Sequence, residues 1–112
     1  MNRLRWYMDG NISRAKSQVG GTYKLDKDYT PVRVNISCRV AGTGVLPTGI
    51  DILDDGVSIF TTKPALLPYM TDKSWTTIPG KVMRRDSIIT LDITRVSDLD
   101  TCRDLTVELE VT

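Results

Sequence analysis

The stretch Pro31-Val32-Arg33-Val34-Asn35-Ile36-Ser37-Cys38-Arg39-Val40 decides the fold. Val32, Val34, Ile36, Cys38 and Val40 alternate with Arg33, Asn35, Ser37 and Arg39. Successive side chains of a strand point to opposite faces. The period of two therefore predicts a long strand, apolar on one face and polar on the other. Working outward, the C-terminus repeats the pattern: Leu105, Val107, Leu109 and Val111 alternate with Thr106, Glu108, Glu110 and Thr112. Ser87 to Thr94 is a third case, with Ile89, Leu91 and Ile93 opposite Thr90, Asp92 and Thr94. The β-branched residues of these runs suit a pleated, half-buried surface.

Shorter strands fill the gaps. Gly49 to Leu53 and Val57 to Thr61 flank Asp54-Asp55-Gly56, and Asp-Gly supplies the positive φ of a tight hairpin. Leu4, Trp6 and Met8 alternate with Arg3, Arg5 and Tyr7, after which Asp9-Gly10-Asn11 is expected to turn the chain. Thr22 to Lys24 and Trp75 to Ile78 are further candidates. Ala41 to Thr48 and Lys63 to Met70 read as connections, the second with apolar residues around two prolines. No window carries a helical stripe longer than two turns. About eight short strands with regular turn signals predict an all-β fold, an antiparallel β-sandwich that is jelly-roll-like. At 112 residues the chain is expected to form one such domain over 1–112, with the segment 1–20 as an N-terminal interaction extension.

Composition narrows the function. Histidine is absent, which removes the commonest general base and the Ser/His and Cys/His nucleophile pairs. Net charge is +1, so no global field draws the chain to nucleic acid or an anionic membrane. The sign is uneven: eight basic and three acidic residues fall in 1–39, seven and eleven in 40–112, a split of +5 against −4. That split fits solvated faces, or a basic edge meeting an acidic edge on a neighbouring copy. Cys38 and Cys102 are too few for a disulfide framework and read as small buried apolar residues, with a bridge between them left open if their strands are neighbours. The opening residues lack a signal peptide's apolar core, and no apolar run approaches ~20 residues, so a soluble protein made in the cytoplasm is expected.

Candidate motifs for chemistry are weak. Asp51 to Gly56 has the glycine of a calcium loop but apolar residues where ligands belong, and reads as a solvated turn. Asp98-Leu99-Asp100 reads as loop chemistry rather than a cation site. Gly42-Thr43-Gly44 is too short for a phosphate loop. Arg84-Arg85 can grip an anion, but reads first as loop charges beside a strand. No catalytic, metal or cofactor residues are assigned.

The run from Thr30 to Val40, through Gly42-Thr43-Gly44 to Leu46-Pro47-Thr48-Gly49, continues as Ile50-Asp51-Ile52 and then Ser58-Ile59-Phe60-Thr61-Thr62. Ile89-Thr90-Leu91-Asp92-Ile93 and Leu105-Thr106-Val107-Glu108-Leu109-Glu110-Val111 follow. This order of strands and turns resembles a β-sandwich module of tailed-phage virion proteins, over roughly residues 20–112. Where members often carry a glycine- and alanine-rich loop, this chain has Leu66-Leu67-Pro68-Tyr69-Met70.

The resemblance implies a bacteriophage virion structural protein with no active site. A short version of the module is expected to be a capsid decoration (cement) protein that binds and stabilises the major capsid protein shell. A homo-oligomer, trimer or dimer, goes with that role. The candidate interface is Arg3, Arg5, Trp6 and Tyr7 together with Leu66, Leu67, Tyr69 and Met70. The alternative is a tail, baseplate or fibre-associated module that binds a host-surface glycan or receptor, with Tyr69 and Trp75 as stacking platforms. Neither reading calls for a cofactor, nucleic acid or membrane.

Overall fold

The computed structural model describes residues 3–112, so Met1 and Asn2, the start of the expected N-terminal extension, lie outside the described residues. Among the described residues there are nine strands and no helix. They are β1 (Arg3–Asn11), β2 (Tyr23–Lys24), β3 (Pro31–Val40), β4 (Thr48–Asp54), β5 (Val57–Ser58), β6 (Ala65–Leu66), β7 (Asp72–Trp75), β8 (Ile88–Arg95) and β9 (Arg103–Val111). One sheet has the order β1-β9-β3-β7. The other has the order β2-β8-β4-β5, and β6 pairs with the far end of β4. All pairings are antiparallel. The chain crosses between sheets at nearly every connection, and the last strand lies between the first and the third. That is jelly-roll order, a sandwich wound from Greek keys.

The three strands with period two form the frame. Val34, Ile36 and Cys38 of β3, Leu105, Val107, Leu109 and Val111 of β9, and Ile89, Leu91 and Ile93 of β8 all point inward. Leu4 and Trp6 of β1 and Ile50 and Ile52 of β4 complete the layer, each fully buried. Val32 and Val40, expected on the same face, are instead 43% and 40% exposed. The β3–β9 register shifts between Pro31 and Arg33, and Val40 lies at the rim opposite Arg103, so alternation is lost at both ends of β3.

Three other expectations are corrected. Asp9-Gly10-Asn11 does not turn the chain but forms a bulge inside β1: Gly10 takes φ 76° and its N–H reaches Asp104 Oδ1 at 2.7 Å. The strand expected at Trp75–Ile78 lies earlier, at Asp72–Trp75. The hairpin turn at Asp55-Gly56 forms, with φ 48° and 84°, but its return strand has only two residues. Ser58 Oγ accepts the Phe60 N–H at 3.1 Å there, and Phe60 drops into the core.

The uneven charge is met in part inside one molecule. β9, the acidic strand, sits between the two basic ones. Arg3 pairs with Glu108 at 3.2 Å, Arg33 with Glu110 at 3.8 Å, and Arg39 with Asp104. The +5 and −4 halves thus meet across the outer face of one sheet, which leaves less of the split for a neighbouring copy.

Candidate functional site

Three connections meet at one end of the sandwich: 41–47 between β3 and β4, 67–71 between β6 and β7, and 96–102 between β8 and β9. They are zipped together through backbone. Thr43 N–H donates to the Asp100 carbonyl at 2.8 Å, Leu99 N–H to the Thr43 carbonyl at 3.2 Å, and Tyr69 N–H to the Gly42 carbonyl at 2.8 Å. Asp98 Oδ1 accepts from both Val45 N–H and Leu46 N–H, at 2.8 and 2.9 Å. These two donors hold the Asp98 carboxyl below its ordinary range.

Close packing explains the Gly-Thr-Gly stretch. A Cβ on Gly42 would overlap the Ser97 hydroxyl, and one on Gly44 would overlap the Asp98 carboxylate. Gly44 also needs φ 105°. The glycines let two loops interlock and cradle no phosphate. Asp98 and Asp100 are likewise spent on loop hydrogen bonds, Asp100 accepting from the Thr43 hydroxyl at 3.2 Å.

This braced frame displays apolar side chains. Val45 is 82% exposed, Leu99 72%, Tyr69 71% and Leu67 53%, and Leu46 is also exposed. Tyr69 holds a positive φ, 67°, which for a bulky residue is a strained conformation. Contiguous exposed apolar side chains on ordered loops are a mark of interaction surfaces.

The expected interface divides. Leu67 and Tyr69 stand on this apolar end, whereas Leu66 is buried at β6 and Met70 is half-buried. Trp6 is fully buried: its ring meets Tyr23 edge-on at 5.4 Å and its Nε1 donates to the Gly21 carbonyl at 3.2 Å. Trp6 and Leu66 are core residues, because the inward face of β1 and the β4 partner strand enclose them. Arg3, Arg5 and Tyr7 are exposed on the outer face of β1. Tyr69 and Trp75 do not form one platform. Trp75 pairs with Val34, is half-buried and donates to the Thr77 carbonyl at 3.2 Å, while Tyr69 is bonded to Gly42 beyond the opposite end of β3. At ~3.3 Å per strand residue the separation is on the order of 20 Å.

The remaining candidates are structural. Asp51 is buried rather than solvated, accepting from Ser58 Oγ and facing Lys63 Nζ at 3.5 Å. Arg84 and the Arg85 N–H both turn onto Asp28, at 3.4 and 2.8 Å. Among the described residues no group of three or more His, Cys, Asp or Glu is placed to hold a metal. Cys38 and Cys102 are both free and buried, Cys38 Sγ donating to the Met70 carbonyl and Cys102 Sγ accepting from the Thr48 hydroxyl, each at 3.7 Å. Burial, with a smaller contribution from Cys102, pushes the Cys38 thiol up to about 11, and burial raises Cys102 as well.

Sequence reasoning missed Val45, Leu46 and Leu99. Their signal was present, since each is an apolar residue inside a stretch rich in Gly, Asp and Pro. No protein-family model matches the chain, and no curated protein matches it. A solved structure described as "CBM4 structure and function" is similar to it at 14% identity, over 98% of this chain and 81% of that one, with a TM-score of 0.32. A likeness at that level carries no argument about a ligand.

Proposed function

We propose that the protein is a non-enzymatic bacteriophage virion component, a decoration protein that binds and stabilises the capsid shell. The observation that carries this reading is the apolar loop end. Leu67 and Tyr69, beside Val45, Leu46 and Leu99, stand in solvent on loops already fixed by hydrogen bonds. A pre-ordered apolar surface loses little entropy on docking, and each buried Å² returns ~25 cal/mol. The virion setting is supported by the resemblance of the strand-and-turn order to tailed-phage modules. Arg3, Arg5 and Tyr7 on the outer face of β1 provide a second, polar contact.

The test is re-decoration of purified shells that lack the protein. A Leu67→Asp/Tyr69→Asp double variant is expected to lose occupancy by about tenfold or more at sub-saturating concentration, as a desolvated apolar contact requires. Leu66 and Trp6 are unsuitable targets because their loss would damage the core. Wild-type occupancy by a folded double variant would sink the contact assignment. Electron microscopy that finds the protein only on the tail would sink the decoration role.

A further inference from the structure

The sheet β1-β9-β3-β7 has two edges, and they are not alike. The Tyr23 phenol bonds both backbone groups of Arg5 and so occupies the β1 edge there. No such plug stands at β7. The Cys38 N–H donates to the Thr71 carbonyl at 2.8 Å, just ahead of β7. An antiparallel ladder alternates bonded and non-bonded pairs. Lys73 opposite Ile36 and Trp75 opposite Val34 therefore turn their backbone groups onto β3. Asp72 and Ser74 turn theirs outward, each offering an N–H and a C=O for which the described residues hold no partner. Both residues are exposed.

The two faces of β7 differ. Paired residues share a face, so Lys73 and Trp75 lie on the core side with Ile36 and Val34. Both are half-buried, and Trp75 packs against the core as an apolar ledge at the edge of the sheet. Lys73 has no carboxylate partner among the described residues. The acid next to it in sequence, Asp72, pairs with Ser37 on the outer face and does not neutralise the core side. A cation on the core side of an edge strand repels a strand that brings an apolar residue or another cation to that position. A strand that brings a carboxylate there gains an ion pair instead.

We propose that the β7 edge accepts an extended segment of a partner chain that sets a carboxylate against Lys73 and an apolar side chain against Trp75. The site is separate from the loop end, and it does not depend on the role given to that end. Main-chain bonds to Asp72 and Ser74 hold the segment, and its alternate side chains decide whether it fits. Lys73 supplies the selection, because the charge that turns away other strands is the one that an acidic strand satisfies. An edge of four residues offers little area, which fits a transient contact.

NMR titration of the full chain with two synthetic peptides tests this. One is Thr-Val-Thr-Glu-Thr-Val-Thr, which puts its two valines and its glutamate on one face, and the other has lysine in place of the glutamate. The glutamate peptide is expected to shift the amides of Asp72 and Ser74 and slow their exchange. It should bind about fivefold or more tightly than the lysine peptide. Lys73→Glu should invert that order. Ser74→Pro, checked for folding by circular dichroism, should lose both peptides, since it removes an outward N–H that carries no ladder bond to β3. Asp72 and Ser74 amides that do not respond to the glutamate peptide, or an order that Lys73→Glu leaves unchanged, would overturn the proposal. Self-association in sedimentation velocity that Ser74→Pro abolishes would also overturn it, because the edge would then belong to a second copy.

Discussion

One oxygen of Asp98 accepts the N–H groups of both Val45 and Leu46, the residues at the tip of the apolar end. A single carboxylate in the β8–β9 loop thus fixes the tip of the β3–β4 loop. Its bound state is charged, because donated N–H groups favour the carboxylate over the acid. The folded value lies below the ordinary one. This contribution to loop order is therefore present above the ordinary carboxylate range and is lost as pH falls through the depressed value. Amide exchange read by NMR should show Val45 and Leu46 opening faster in Asp98→Ala, with Asp98→Asn between it and wild type. Equal exchange in all three would show that the carboxylate does not hold the loop.

Gly42 tests the interlock from the other side. Ser97 fills the space that a side chain would need, and both residues are buried. Gly42→Ala should lower stability by ~1–3 kcal/mol through overpacking, measured as a shift of the urea midpoint at constant slope. Gly56→Ala is the control. Nothing lies near its Cβ position, so it bears only the backbone cost of φ 84°. A larger loss at Gly56 than at Gly42 would mean that the loops do not pack as described.

How far the sequence went follows from the range of the forces involved. β3, β8 and β9 were legible because alternation is local: Val34, Ile36 and Cys38 face one way whatever packs on them. Asp55-Gly56 was legible for the same reason, since a hairpin turn needs only its own positive φ angles. The apolar end was half legible. Leu67 and Tyr69 stood out between prolines, but the exposure of Val45 and Leu99 depends on hydrogen bonds between loops more than fifty residues apart in sequence. Trp6 and Asp51 went the other way. Trp6 looked available because it lies in the segment expected to be an interaction extension, and Asp51 looked solvated because it precedes a turn. Tyr23 and Gly21 close over the first, and Ser58 and Lys63 reach back over the second.

The two thiols should be quiet at neutral pH. The thiolate is the reactive form, and burial disfavours it at both Cys38 and Cys102. With Cys38 pushed up to about 11, alkylation of the native protein should be slow at pH 8 and fast only in denaturant. The sign for stability is set by the same shift. A thiol whose folded value is raised keeps its full contribution below its ordinary value, and that contribution is lost as pH climbs to about 11. Stability should therefore fall through this alkaline window, and Cys38→Ser/Cys102→Ser should flatten that fall. Rapid labelling of the folded chain at pH 8 would contradict the buried placement.

Tyr23 closes the edge of the first sheet. Its phenolic oxygen accepts from Arg5 N–H at 3.1 Å and donates to the Arg5 carbonyl at 2.6 Å, while its ring lies edge-on to Trp6. β1 is an outer strand nine residues long, and an unblocked edge of that length invites pairing with another chain. Tyr23→Phe keeps the ring contact and removes both hydrogen bonds. It should cost about 1 kcal/mol in urea unfolding, in line with hydrogen bonds that water can partly replace. Tyr23→Ala also strips the cover from Trp6 and should cost ~3 kcal/mol or more. The two variants separate packing from edge protection. If the plug matters for solubility, Tyr23→Phe aggregates faster than wild type on mild heating although its core is intact, with growth of thioflavin-positive material as the readout. Aggregation that tracks stability alone, the same for Tyr23→Phe as for a core variant of equal midpoint, would leave the phenol as a stabilising group without a protective role.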